Sequence, residues 1–492
     1  MNDKKEYRSI VKGTAIFGGV QVFNILIAML RGKFVALFLG PTGMGVSALM
    51  LSTMNIISTI SSLGLSMGAM RDISMANENG DIERISLVVK IFRRLVFVTG
   101  IFGAFISIVG SKWWSSLAFG TDEYRIAFII LGAMIFFTAL GSGETALLQG
   151  TRHLKELAKT SIVGSICGLI IGVPMYYFWG TKGIAPAMIS LALVTYLSNR
   201  YFSRSIELIH VKISQDNMSK YTKSIVLLGV TLTSATILGQ LTTYFINWFI
   251  RYKGDVSDVG LYQAASSITT QYIGFVFSAM AVDYYPRLAA ISNDNIAVKN
   301  VVNQQAEIVI LLSVPIILIL MVTAPLVVGI LLSDEFIAII PVLRWMGFAL
   351  FFKATSFSLG YISFAKGEKK TFFWLEGVIG NFSTMLWCIA GYTIWRYTGL
   401  GIAMLGSYAT YLVLISIVVY FKYQFRFDKK LLKMFCILIT CCLAEFISSL
   451  TITDYLPYGI ISGIVLLLSG WYCYRELNKR INIAELIKNK LR

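Results

Sequence analysis

The sequence predicts an all-α integral membrane protein with about fourteen transmembrane helices, and three observations support this. Of its 492 residues, 56% are hydrophobic and only 14% are charged, which is more apolar surface than one or two soluble cores can hide. The apolar residues form long runs of the length that a membrane-spanning helix needs, roughly 20 residues. The alternating segments of about 10 residues that a membrane β-barrel needs are missing from the sequence.

Charged or turn residues separate fourteen apolar runs, each predicted as one helix. The first run follows four basic residues, as in a signal peptide, but it is too long for a cleavable segment and predicts a retained helix. The predicted helices span residues 10–39, 43–70, 88–111, 124–149, 157–179, 184–203, 223–250, 258–284, 305–333, 337–364, 371–396, 399–422, 431–450 and 456–474.

The positions of the basic residues predict the orientation in the membrane. The net charge is +17, and most of the 43 Lys and Arg residues lie in alternate loops, which the positive-inside rule assigns to the cytoplasm. Fourteen spans then place both termini in the cytoplasm. The same placement explains the basic charge without nucleic acid, so membrane lipids and not nucleic acid are the expected surroundings.

Internal similarity predicts two repeats. Gly45 aligns with Gly260, and Gly150 aligns with Gly367 at an offset that also places Gly180 on Tyr397. Repeats that start on the same side of the membrane are parallel repeats, related by an axis along the membrane normal. The predicted domains are an N-terminal six-helix lobe (1–205), a cytoplasmic linker (206–222), a C-terminal six-helix lobe (223–425), and two additional helices with a basic amphipathic cytoplasmic tail (426–492).

The end of the first helix and the start of the second read MLRGKFVALFLGPTGMGVSALM, followed by a small-residue helix and a basic inner loop. This resembles the O-antigen and polysaccharide flippases, the polysaccharide-transporter branch of the multidrug/oligosaccharidyl-lipid/polysaccharide exporter superfamily. The resemblance covers about residues 9–422, and LGPTGMG carries most of it. It implies two lobes around a central cavity that opens alternately to each side of the bacterial cytoplasmic (inner) membrane. It also implies a cargo, undecaprenyl-pyrophosphate-linked oligosaccharide for O-antigen or a similar surface polysaccharide, with other polysaccharide-assembly proteins as candidate partners.

Two departures keep alternatives open. Many O-antigen flippases are expected to have twelve helices, and fourteen is closer to a lipid II flippase. The first helix nevertheless has LRGKF where a lipid II flippase is expected to carry an Arg-Asp pair. The other alternative is an ion-coupled drug or organic-cation antiporter of the same superfamily, which would need acidic rather than basic residues in its cavity.

Three basic residues are candidates for binding an anionic cargo within the membrane. Lys353 precedes Lys366 at the predicted inner boundary by about 13 residues, which places it roughly 20 Å deep. A cation at that depth needs a wet cavity or a partner. Arg31 and Lys33 lie closer to the predicted outer interface, where anchoring the helix end is an equally good interpretation.

Two carboxylates within apolar runs, Glu144 and Glu376, are candidates for proton or ion coupling, because burial shifts the protonation equilibrium of a carboxylate. Glu144 is the first choice, since Glu376 is close in sequence to Lys369 and Lys370 and could pair with them. No metal or cofactor is expected; a proton or sodium gradient, or the membrane potential, is the candidate driving force. The sequence also has no phosphate-binding loop and no nucleophile motif, so we expect a transporter and not an enzyme.

Polar amides within the helices are candidates for contacts with sugar hydroxyls, although such groups more often join helices to one another. These residues are Asn24, Asn55, Gln240, Gln263 and Gln271.

Overall fold

The computed structural model describes residues 2–452 and 454–481, with the backbone alone for residues 2–18 and for a few further positions, most of them in α8 and α9. Helices dominate the described residues, and none of these residues lies in a strand. The chain divides into two compact units, Met1–Gly260 and Leu261–Arg492. The predicted all-α class is confirmed.

The first unit contains eight helices and the start of a ninth. The helices are α1 (Asn2–Ser62), α2 (Leu65–Glu78), α3 (Ile82–Val109), α4 (Ser111–Phe119), α5 (Arg125–Gly150), α6 (Leu154–Trp179), α7 (Ile184–Ser203), α8 (Gln215–Lys253) and α9 (Val256–Ala290), with a short 3₁₀ turn at Gly180–Gly183. Helix α8 begins inside the predicted linker, of which residues 207–214 have no regular secondary structure.

The break inside α1 lies where the sequence predicts the first outer turn. Gly40 adopts φ 62° and ψ −167°, a conformation that L-residues with a side chain avoid, and Pro41 follows it. A proline fits the first turn of a helix, so the chain stops one helix at Gly40 and starts the next directly after it.

Helix α4 is not among the helices predicted from the sequence. This short helix carries adjacent Trp113 and Trp114, which suit a membrane interface. Arg251 of α8 donates from Nε to the Ala118 carbonyl at 2.9 Å and from Nη2 to the Leu117 carbonyl at 2.6 Å. A cation thus satisfies carbonyls that the end of α4 leaves free.

The second unit holds the rest of α9 and the remaining helices. These are α10 (Asn295–Leu331), α11 (Ile340–Ala365), α12 (Lys369–Phe372), α13 (Gly380–Tyr423), α14 (Lys429–Thr451) and α15 (Tyr455–Ile481), with a 3₁₀ turn at Asp334–Ile339 and a π-helical segment at Phe373–Ile379. Helix α13 breaks at Trp395 and Arg396, where the sequence places the boundary between two predicted spans.

The last two helices pack on α10 and on each other. Arg480 of α15 donates from Nε to Glu307 Oε2 of α10 at 2.6 Å. Between α14 and α15, Glu445 Oε1 accepts from the hydroxyls of Tyr458 and Ser462, each at 3.0 Å. Of the predicted amphipathic tail, residues 475–481 continue α15, and residues 482–492 lie outside the described residues.

Nine helical stretches among the described residues are long and apolar enough to cross a membrane. Three of them, of 44, 50 and 55 residues, are more than twice as long as the roughly 20 residues that one crossing takes, and each contains a turn or break described above. The protein is therefore a multi-pass membrane protein. The count of fourteen spans, the lobe boundaries and the orientation stay predictions.

The two glycines that the repeat alignment pairs, Gly45 and Gly260, make a reciprocal contact within the first unit. A Cβ on Gly45 would lie 1.8 Å from the Val256 carbonyl oxygen, and a Cβ on Gly260 would lie 1.8 Å from that of Pro41. Val256 lies four residues before Gly260, and Pro41 lies four residues before Gly45. In both directions a glycine of one segment contacts the carbonyl at the equivalent position of the other segment. A local two-fold axis produces such a contact.

Candidate functional site

The second unit contains a cavity of about 580 Å³ between α11, the π-helical segment and α13. We call it the Lys353 cavity. Two charged side chains and a set of aromatic rings and hydroxyls line it, including Lys353, Phe357, Tyr361, Glu376, Tyr408 and Tyr411. The structure thus brings together Lys353 and Glu376, two of the predicted site residues.

Lys353 is half-buried and is held mainly by aromatic groups. Its Nζ donates to the Tyr408 hydroxyl at 3.3 Å and lies 5.1 Å from the centre of the Tyr408 ring and 5.9 Å from that of Phe277. Among the side chains that the structure describes, no carboxylate oxygen is within ion-pair distance of this ammonium group. Rings attract a cation more weakly than a carboxylate does, so the charge remains available to an anionic ligand.

Glu376 lies in the π-helical segment Phe373–Ile379, a type of helix that is frequent at functional sites. The wider turn leaves carbonyl groups free, and the amide of Asn381 donates to those of Glu376 at 3.1 Å and Gly377 at 2.8 Å. The Tyr411 hydroxyl donates to Glu376 Oε1. Gly360 of α11 makes room for this carboxylate, since a Cβ there would lie 2.7 Å from Oε1.

The first unit has a separate cavity of about 550 Å³, which Arg31 lines together with residues of α2, α5, α6 and α7. We call it the Arg31 cavity. Its other polar lining includes Thr138, Thr145 and Asn199, and no carboxylate is among its lining residues. Lys33 is half-buried and is not among them, so the structure separates the predicted pair.

Glu144 is fixed by three partners within the first unit. Arg93 donates from Nε and Nη2 to its two oxygens at 2.9 and 2.7 Å, Arg200 donates at 3.0 Å, and the Ser203 hydroxyl donates at 2.6 Å. The glutamate is 3% exposed. Arg93, Arg200 and Ser203 thus leave both oxygens of Glu144 occupied, and this arrangement joins α3, α5 and α7.

The predicted sugar-contacting amides do not line the Lys353 cavity or the Arg31 cavity. Asn24 joins α1 to α6, because its amide donates to the Ser161 hydroxyl at 2.6 Å and its carbonyl accepts from Ser165 at 2.7 Å. The others are half-buried and are not among the residues that line the two cavities described above; they are Asn55, Gln240, Gln263 and Gln271.

The tyrosines of the Lys353 cavity are not among the residues predicted from the sequence. Tyr408 and Tyr411 are three residues apart, so they share one face of α13. Two hydroxyl-bearing rings at that spacing within an apolar run are a signal that the sequence does contain. The π-helical turn has no such signal.

Comparison with known proteins identifies the family. A family model described as "Polysaccharide biosynthesis protein" matches residues 34–341, which is more than half of the chain. The chain belongs to this family. It is also 23% identical over 421 residues to the lipid III flippase of Escherichia coli (strain K12), a match that covers 83% of this chain and 97% of that relative. The lipid III flippase of Shigella flexneri matches to the same extent.

Solved structures show the fold. An inward-facing multidrug resistance MATE family transporter of the MOP superfamily superposes with a TM-score of 0.70 at 16% identity, covering 83% of this chain and 98% of the other. The lipid II flippase MurJ in an inward closed conformation gives a TM-score of 0.66 at 15% identity, covering 95% and 99%. The protein therefore has the fold shared by these transporters, as the resemblance in its sequence implies.

Proposed function

We propose that this protein is a flippase that moves an undecaprenyl-pyrophosphate-linked oligosaccharide from the inner to the outer leaflet of the bacterial cytoplasmic membrane. Family membership and the match to lipid III flippases support the class of cargo. The observation that carries the proposal is Lys353, a cation within a membrane-spanning helix that lies in a cavity and has no carboxylate partner among the described side chains.

The lining of the Lys353 cavity suits the two parts of such a cargo. A pyrophosphate is anionic, and an ammonium group in a cavity of low polarity attracts an anion much more strongly than it does in water. Aromatic faces and hydroxyl groups, here those of Tyr361, Tyr408 and Tyr411, suit the apolar faces and hydroxyls of sugars. The Arg31 cavity offers a second cation in the other unit.

Alternating access requires that the cargo be bound and later released. Glu376 shares the cavity with Lys353, so its protonation changes the charge that an anionic cargo meets there. An ionised Glu376 opposes the cargo, and a neutral Glu376 leaves the charge of Lys353 uncompensated. A ligand shifts a conformational equilibrium only by its difference in affinity for the two states, and this change in charge supplies such a difference. We therefore favour Glu376 over Glu144 as the coupling residue.

The other members of the superfamily are less well supported. An organic-cation antiporter would bind a positively charged drug, which Lys353 and Arg31 would repel. The likeness to a MATE transporter shows the fold alone. A lipid II flippase remains the second candidate, because the predicted count of fourteen helices is closer to that arrangement.

The test is the leaflet distribution of the glycolipid in cells that lack this protein. Wild type should clear the glycolipid from the cytoplasmic leaflet, Lys353→Ala should not, and Lys353→Arg should restore part of the activity because it keeps the charge. Lys112→Ala is the matched control, since Lys112 is 70% exposed and pairs only loosely with Asp122 at 3.6 Å. An unchanged distribution on deletion would refute the cargo, and full activity of Lys353→Ala would refute the site.

The role of Gly360 gives a second test of the same site. Gly360→Ala places a Cβ against Glu376 Oε1 and should displace the carboxylate from Tyr411. We expect reduced transport with a normal thermal unfolding midpoint, because a flexible side chain can move aside at small cost. Gly329→Ala is the control, since nothing lies within 4 Å of a Cβ at that position of α10. Normal transport by Gly360→Ala would show that the position of the carboxylate does not matter.

A further inference from the structure

A basic pocket of about 840 Å³ lies in the first unit, apart from the two cavities described above, between α3, α5, α7 and the irregular residues 207–214. We call it the Arg94 pocket. Its charged lining consists of Lys90, Arg93, Arg94, Arg200 and Glu144, which leaves a net charge of +3 with His210 neutral. The pocket thus keeps a positive charge even though Glu144 pairs with Arg93 and Arg200.

Residues 207–214 are fixed over this pocket by hydrogen bonds to α3. Lys90 Nζ donates to the Val211 carbonyl at 2.8 Å, and the Ile209 amide donates to the Ser86 hydroxyl at 3.0 Å. These bonds place exposed His210 on the rim of the pocket. Arg94 is also exposed, and no carboxylate among the described side chains pairs with it.

The same face of α3 changes from basic to apolar within one turn. Lys90 and Arg94 are followed at helical spacing by Phe97, Ile101 and Phe105, which are 48%, 48% and 59% exposed. Phe97 lines the Arg94 pocket itself. Large exposed apolar side chains on a membrane-spanning helix face lipid tails, so the pocket opens both to headgroups and to hydrocarbon.

We propose that the Arg94 pocket binds an anionic phospholipid of the phosphatidylglycerol type, with the phosphate at Arg94 and Lys90 and an acyl chain along Phe97 and Ile101. A basic pocket between membrane helices on the cytoplasmic side is a recognised kind of site for anionic headgroups. In the predicted orientation this pocket faces the cytoplasmic leaflet. The lipid is a permanent neighbour and not the transported cargo.

The test uses the full chain in nanodiscs of phosphatidylcholine with a small fraction of photoactivatable phosphatidylglycerol. Labelled peptides are quantified by mass spectrometry. Phosphatidylglycerol should label peptides of α3 and of residues 207–214, and photoactivatable phosphatidylcholine at the same fraction should label them far less. Each basic charge near a membrane surface is worth about a fivefold change in binding of an anionic lipid.

Arg94→Gln removes one positive charge and should reduce the labelling about fivefold. Arg94→Glu lowers the charge at this position by two and should reduce the labelling about 25-fold. Arg152→Gln is the matched control, because Arg152 is 68% exposed and pairs with Glu78 outside the pocket. Unpaired, exposed Arg94 can be replaced without loss of folding, which an unchanged thermal unfolding midpoint would verify.

Four results would overturn the proposal. Equal labelling by phosphatidylcholine would show ordinary lipid contact, and unchanged labelling of both Arg94 variants would show that its charge is not used. Displacement by inorganic pyrophosphate would identify a site for soluble phosphate. Displacement by an equal amount of undecaprenyl pyrophosphate would identify a site for the cargo. None of these results would contradict the proposed transport at Lys353, so the two proposals fail separately.

Discussion

The crossing of α1 and α9 at Gly45 and Gly260 predicts a large effect from a single methyl group. In Gly260→Ala the new Cβ would lie 1.8 Å from the Pro41 carbonyl oxygen, 2.8 Å from its carbon and 2.9 Å from the Gly45 nitrogen. Favourable contacts lie at about 3.5 Å or more, so the two backbones must separate by roughly 1.5 Å. Backbone atoms cannot escape by changing rotamer, unlike side chains.

The size of the effect is the difference of two terms. Inserting a methyl into a packed contact costs about 1–3 kcal/mol, and a contact between backbones lies at the upper end. Alanine favours a helix over glycine by about 0.5–1 kcal/mol. We therefore expect the free energy of unfolding to fall by about 2 kcal/mol. The change is measured as a lower thermal unfolding midpoint in detergent at one fixed scan rate.

Two further variants make the prediction sharper. Gly329→Ala has open space around its new Cβ and should keep or raise the midpoint. Gly45→Ala should match Gly260→Ala, because its Cβ would meet the Val256 carbonyl oxygen at the same 1.8 Å. The double variant should lose less stability than the sum of the losses in Gly45→Ala and Gly260→Ala, since one separation of the two backbones relieves both clashes. A Gly260→Ala protein as stable as Gly329→Ala would refute the close contact.

Two other predictions concern charged groups. Glu144→Gln leaves Arg93 and Arg200 without their carboxylate and should destabilise the protein by about 2–3 kcal/mol, less than for a fully buried pair because both arginines are partly exposed; a midpoint equal to wild type would contradict this. In the loop before α12, burial raises the pKa of Glu368, but hydrogen bonds from Lys422, Thr371 and Tyr423 outweigh it and hold that pKa below its usual range. The midpoint difference between wild type and Glu368→Gln should therefore be largest near neutral pH and shrink as the pH falls through the lowered pKa; a difference that grows on acidification would contradict it.

Much of the fold was readable from the sequence because a membrane imposes long apolar runs. The breaks were readable as well, since Gly40 before Pro41 is a local signal for ending one helix and starting another. Helix α4 was missed because it is short and lies between two spans. The reciprocal contact of Gly45 and Gly260 was anticipated only as a sequence alignment, since packing distances are not encoded locally.

The site was readable in part. Its predicted depth alone makes Lys353 a candidate, because a cation far from either interface needs a wet cavity or a partner, and the structure places it in a cavity. The contact of Glu376 with Tyr411 could not be predicted, since Tyr411 is 35 residues away and a π-helical turn has no sequence signature. The arginine partners of Glu144 could not be predicted, because the packing that brings Arg93 and Arg200 to it is a property of three helices.

The most direct measurement of the central claim is transport by the purified protein. Proteoliposomes are loaded with undecaprenyl-pyrophosphate oligosaccharide, and a glycosidase that cannot cross the membrane is added outside. With wild type, the digested fraction of the glycolipid should rise beyond the fraction initially in the outer leaflet. With Lys353→Ala, it should not exceed that initial fraction. Equal digestion in wild-type and protein-free vesicles would contradict flipping of this cargo, and equal digestion by Lys353→Ala and wild type would contradict the role of the cationic cavity.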